Sequence, residues 1–68
     1  MKLVDLLNFI GKGEKIRVYS INEKRQLYKG SKEGVIRNSA VTSRNVRKSG
    51  VSVYRSDRWE VGINIEVF

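Results

Sequence analysis

The chain has 68 residues, no cysteine and no histidine, and its fourteen Lys and Arg against seven Asp and Glu leave a net charge of +7. That length allows one domain, residues 1–68, with a small core and a thin stability margin, so a homo-oligomer is compatible with it. The missing cysteines exclude disulfides and thiolate metal sites, and the missing histidines remove the commonest general base and imidazole metal ligand.

Met1 to Ile10 places Leu3, Val4, Leu6, Leu7 and Ile10 at helical spacing, with Lys2, Asp5 and Asn8 between them. This predicts a short amphipathic helix capped by Gly11 in a left-handed conformation. So short a helix needs a sheet to pack on. Its polar face carries too little positive charge for a membrane-surface helix, and no apolar run approaches the roughly 20 residues of a membrane span. Gly11-Lys12-Gly13 follows a helix and precedes a strand, the reverse of a phosphate-binding loop, and reads as a connector.

Lys15 to Ile21 alternates Ile16 and Val18 with Arg17 and Tyr19, which predicts a strand with a basic outer face. Asn22 to Arg25 is a polar turn, and Gln26 to Lys29 returns as a second strand. Ser20 to Glu23 matches a helix capping box, but no apolar helical pattern follows it. Val35 to Arg37 reads as a short edge strand between glycine-punctuated loops. Asn38 to Gly50 is open to two readings. Thr42 caps one helical turn flanked by Val41 and Val46, or Arg44 to Ser49 extends the next strand backward with a bulge at Ser49-Gly50. The strand extension is preferred.

Trp59 to Val67 is the most periodic stretch, with Trp59, Val61, Ile63, Ile65 and Val67 alternating with Glu60, Gly62, Asn64 and Glu66. It predicts a half-buried strand whose five apolar residues face a core. Val51 to Arg55 is its expected hairpin partner. Directly opposed residues share a face, and only a three-residue loop, Ser56-Asp57-Arg58, sets Val53 against Val61, Val51 against Ile63 and Arg55 against Trp59. The expected fold class is α+β: a short N-terminal helix packed on a curved antiparallel sheet of four to five strands, a small, partly open barrel.

Catalysis has little to work with. Glu60 and Glu66 share the outer face of the last strand, but six residues at about 3.3 Å each separate them by roughly 20 Å, too far for a paired-carboxylate mechanism. The expectation is a non-enzymatic protein without a cofactor or metal. The concentrated feature is positive charge in residues 37–58, where Arg37, Arg44, Arg47, Lys48, Arg55 and Arg58 face one acid, Asp57. Arginine binds phosphate through two parallel N–H groups and stacks on bases. Tyr54 beside Arg55, and Tyr19 beside Arg17, supply aromatic rings next to cations, as single-stranded nucleic acid platforms do. The predicted anion or nucleic-acid site is therefore Arg37, Arg44, Arg47, Lys48, Tyr54, Arg55 and Arg58.

The opening Met1-Lys-Leu-Val-Asp-Leu-Leu7, the later Leu27-Tyr-Lys-Gly30, Val51-Ser-Val-Tyr54 and the closing Ile63-Asn-Ile-Glu-Val67 resemble small phage- and prophage-encoded proteins with a short N-terminal helix and a small β-sheet. The resemblance implies a phage accessory role in the cytoplasm of a host cell. The partner would be nucleic acid or a nucleic-acid-binding host protein, with no membrane. The alternatives it leaves open are an anti-defence inhibitor of a nuclease or CRISPR effector, a protein that sequesters a nucleotide signal, and a structural protein that oligomerises through a sheet edge.

Overall fold

The computed structural model describes the backbone of residues 1–55 and 59–68, and the side chains of residues 1–50 and 62–68. The elements in chain order are α1 (Leu3–Leu7), β1 (Lys15–Ser20), β2 (Arg25–Ser31), α2 (Lys32–Val35), α3 (Ser39–Thr42), β3 (Val46–Arg55) and β4 (Trp59–Val67). The strands form one sheet in the order β2-β1-β4-β3. β1 pairs antiparallel with β2, and β3 with β4, but β1 and β4 run parallel. The expected all-antiparallel sheet is thus corrected to a mixed one. The chain reaches β3 from β2 by crossing to the opposite edge through α2 and α3, so the returning β4 fills the gap beside β1 in the same direction. β2 and β3 lie at opposite ends of that order, so the sheet is open rather than closed into a barrel.

The β3–β4 hairpin has the register that kept apolar residues together: Val51 faces Ile63, Val53 faces Val61 and Arg55 faces Trp59. A one-residue slip would have sent the whole alternating set to the other face. Of the five apolar residues assigned to the core, Ile65 and Val67 are buried and Ile63 is half-buried. The side chains of Val61 and Trp59, and the loop residues Ser56 and Asp57, lie outside the described residues.

One side of the sheet is covered. Ile16 and Val18 of β1 and Ile65 and Val67 of β4 meet Leu3, Leu7 and Ile10 from the N-terminal segment, Val35 from α2 and Val41 from α3. Each such fully buried aliphatic side chain contributes about 1.5–3 kcal/mol. α1 ends at Leu7, short of the stripe's last residue Ile10, because the chain tightens into turns there. The Phe9 N–H donates to the Leu6 carbonyl at 3.0 Å and the Ile10 N–H to the Leu7 carbonyl at 3.1 Å. Ahead of the helix the first residues pair with the segment entering β3. The Leu3 N–H donates to the Arg44 carbonyl at 2.9 Å and the Val46 N–H to the Met1 carbonyl at 2.7 Å. Gly11 is not the left-handed residue after the helix; that conformation falls to Gly13, with φ at 82°.

Val35 to Arg37 is not an edge strand. Val35 ends α2 and is fully buried, and one-turn α2 is held by bonds to the α1–β1 loop. The Lys32 N–H donates to the Glu14 carbonyl at 3.0 Å, Lys32 Nζ to the Ile10 carbonyl at 2.7 Å, and the Gly13 N–H to Glu33 Oε1 at 2.7 Å. Tertiary bonds here override poor local helix propensity. Gly34 lets the turn sit on Tyr28, since a Cβ at that position would collide with Tyr28 Oη, which donates to the Ser31 carbonyl at 2.7 Å. Both readings of residues 38–50 are partly realised. α3 is one helical turn entered from Asn38 rather than Thr42, and β3 starts early, at Val46, with its irregularity between Val46 and Lys48 instead of at Ser49-Gly50.

Candidate functional site

Among the described residues, no helix covers the other side of the sheet. Its residues are the alternate positions of the same strands: Lys15, Arg17 and Tyr19 on β1, Gln26 and Lys29 on β2, Asn64 and Glu66 on β4, and Lys48 and Gly50 on β3. Strand pairing aligns them in two rows. Lys29 lies beside Arg17, Arg17 beside Asn64, and Asn64 beside Gly50. The next row runs Gln26, Tyr19, Glu66, Lys48. Arg47, the extra residue at the β3 irregularity, turns its guanidinium onto this face, where Nη1 meets Glu66 Oε2 at 2.7 Å. Lys48 Nζ stands 3.8 Å from Glu66 Oε1. Among the strand residues whose side chains are described, five cations (Lys15, Arg17, Lys29, Arg47 and Lys48) share this face with one carboxylate, Glu66.

Two adjoining depressions mark the middle of the face. One, of about 200 Å³, is lined by Arg17, Tyr19, Gln26, Asn64 and Glu66. The other, of about 330 Å³, is lined by Lys48, Ser49 and Gly50 and shares Asn64 and Glu66 with the first. The space beside Gly50 is open, since a Cβ built there would meet nothing within 4 Å. Tyr19 is 40% exposed beside the first.

The residues singled out from the sequence do not form one patch among those described. Arg47 and Lys48 lie on the open face. Arg37 is exposed on the helix side, in the turn between α2 and α3. Arg44 is committed to internal bonds: Nη2 pairs with Glu23 Oε2 at 2.6 Å, and Nη1 donates to Ser20 Oγ at 3.3 Å and to the Phe68 backbone oxygen at 3.1 Å. Hydrogen bonding from Arg25, with Arg44 adding to it, holds the Glu23 carboxyl below its ordinary value. The side chains of Tyr54 and Arg55, and the whole of Arg58, lie outside the described residues. Conversely, reading charge density along the chain passed over Lys15 and Lys29. The signal for both was the strand alternation itself, because whatever sits between inward residues must point outward.

Comparison with family models, with characterised proteins and with solved structures finds no match to this chain. Its own geometry therefore carries the functional reading. Among the described residues no group of three or more acidic side chains is gathered as a metal site would require, and no helix is long and apolar enough to cross a membrane. What the open face can do chemically is present guanidinium and ammonium groups, two side-chain amides and a phenol ring to an anionic, hydrogen-bonding ligand.

Proposed function

We propose that the protein is a non-enzymatic nucleic-acid-binding protein and that the open face of the sheet, rather than the Arg37–Arg58 stretch as a whole, is its binding surface. The observation that carries this is the gathering of Lys15, Arg17, Lys29, Arg47 and Lys48 from three strands onto a surface that no helix among the described residues covers. Cationic footprints of this kind bind the phosphate backbone and release its counterions. The carboxylate among them does not block the surface. Arg47 and Glu66 are 41% and 30% exposed, and an ion pair that open to solvent is worth only about 0–1 kcal/mol. A phosphate can replace Glu66 as the partner of Arg47 at little cost.

The test is fluorescence anisotropy of a labelled oligonucleotide across a salt series. Binding should fall steeply with salt, and Arg17→Ala, Lys29→Ala and Lys48→Ala should each lower the slope by about 0.7 for a single strand. Arg44→Met should leave the slope unchanged. No binding at low salt would remove the proposal. Capture of a protein from nuclease-treated host lysate, in place of nucleic acid, would transfer the same basic face to the inhibitor reading.

A further inference from the structure

We infer that the open face takes single-stranded rather than duplex nucleic acid, with one base stacked on Tyr19 and its amino edge read by Glu66. This rests on the nucleic-acid reading above and adds the ligand class and the residues that discriminate.

The first argument is one of width. Four strands at about 4.8 Å spacing make a surface roughly 14 Å across before side chains are added. The major groove of B-form DNA is about 12 Å wide and admits a helix or a two-stranded ribbon. The four-stranded part of the face, where Tyr19 and Glu66 lie, is too broad to enter it, so that part can meet a duplex only along the outside, where no base is available. A single strand lies across the same face with its bases unstacked.

The second argument comes from the contents of the middle of the face. Tyr19 lies directly beside Glu66 in the strand pairing, and both line the smaller depression with Gln26 and Asn64. An exposed ring offers a stacking surface to any base. Amide and carboxylate side chains are the groups that read base edges, and a carboxylate accepts from the amino group of cytosine. Glu66 already engages Arg47 and Lys48, but a carboxylate has about four acceptor positions, which leaves capacity for a base amine. Arg17 and Lys29 on one flank, and Lys48 and Arg47 on the other, stand where the strand's phosphates would pass. A depression of about 200 Å³ falls below the roughly 300–1,000 Å³ of small-molecule pockets and suits one base.

Thymine and uracil present a carbonyl where cytosine presents an amine, so Glu66 repels them. The full chain should therefore bind oligo(dC) several-fold more tightly than oligo(dT) at neutral pH and equal salt. Both should bind at least about tenfold more tightly than a duplex of the same length. Tyr19→Ala should weaken single-strand binding roughly 5- to 100-fold, the range that one stacked base supplies, and leave duplex binding unchanged. Tyr19→Phe should restore it. Glu66→Gln should tighten binding to every oligonucleotide while erasing the difference between dC and dT, because an amide both donates and accepts. Thermal melts of each variant separate a binding loss from unfolding. Equal affinity for duplex and single strands, an unaffected Tyr19→Ala, or a dC preference that survives Glu66→Gln would overturn this inference and leave the nucleic-acid reading standing. Absence of any oligonucleotide binding at low salt would take both away.

Discussion

Neighbouring residues of β1 belong to two different molecules in physical terms. Ile16, Val18 and Ser20 have no solvent exposure and face the helices, while Lys15, Arg17 and Tyr19 between them face water. The covered side is tightly constrained, and its polar atoms are satisfied. Buried Ser20 Oγ accepts from the Glu23 N–H at 3.1 Å and from Arg44. The open side is held by exposed ion pairs and two shallow depressions. The difference teaches that stability and ligand contact can be separated by the parity of a residue number along one strand. A change at an even-numbered position of β1 should cost folding energy, and a change at an odd-numbered one should cost affinity.

The largest effect expected from that division is at Ile16. Ile16→Ala removes a fully buried side chain and should cost about 2–5 kcal/mol in urea unfolding, against a total of roughly 3–10 kcal/mol for a chain of this size. Arg17→Ala next to it should change stability by less than about 0.5 kcal/mol. If the two substitutions destabilise equally, the open face is itself part of a packed interface, and the division fails.

Second is the contact of α2 with β2. Gly34→Ala drives a methyl group into Tyr28 Oη and should cost about 1–3 kcal/mol, the usual range for overpacking. In a Tyr28→Phe background the colliding oxygen is gone, so the same substitution should cost much less. A double-mutant cycle measures the difference, and strict additivity would mean that the helix does not rest on that ring.

The hairpin register and the core stripe of α1 were legible in the sequence because both follow from alternation and pairing alone. Val51, Val53, Val61 and Ile63 admit one register that keeps like residues together, whatever the rest of the chain does. α2 was not legible. Lys32-Glu-Gly-Val35 has neither helical length nor propensity, and its shape comes from bonds to Gly13, Glu14 and Ile10, about twenty positions away. The parallel pairing of β1 with β4 was hidden for the same reason, since it depends on how residues 32–45 cross the sheet. The candidate site was half legible. Its chemistry, basic side chains beside a tyrosine, was visible at Arg17 and Tyr19, but proximity in sequence was taken for proximity in space. Arg44 is three residues from Arg47, yet one closes the end of the core and the other lies on the open face.

Arg44 supplies the third prediction. Arg44→Met removes the ion pair with Glu23 and the bonds to Ser20 and Phe68, and should cost about 1–2 kcal/mol without altering oligonucleotide affinity. A loss of affinity at unchanged stability would return Arg44 to the binding surface.

A smaller effect lies in the pH dependence of the covered side. The Glu33 backbone N–H and the Gly13 N–H hold the Glu33 carboxyl below its ordinary 4.5, and Arg25 and Arg44 do the same for Glu23. A depressed folded-state value means that the unfolded chain binds the proton more readily. The contribution is therefore complete above the ordinary carboxylate value and is lost as pH falls through the depressed one. Urea midpoints should decline as pH is lowered from about 6 to about 3, and less so in Glu33→Gln. An identical decline in that variant would show that the Gly13 bond does not couple to folding.

The smallest effect is at Lys24, a non-glycine residue in the left-handed region with φ at 55°. It closes the turn between β1 and β2, where the Ser20–Glu23 bond that looked like a helix cap fixes the chain reversal instead. A left-handed backbone costs an ordinary residue about 1–2 kcal/mol, whereas glycine adopts it freely and loses more chain entropy on folding. The two terms oppose, so Lys24→Gly should raise stability by no more than about 1 kcal/mol. Because Lys24 lies beyond the Ser20–Arg25 pair and lines neither depression, the same variant should bind oligonucleotides as the parent does, apart from the weak long-range effect of one lost charge that salt screens. A stability gain accompanied by a large, salt-insensitive affinity loss would mean that this end of the sheet touches the ligand, and the binding surface would have to be redrawn to include the turn.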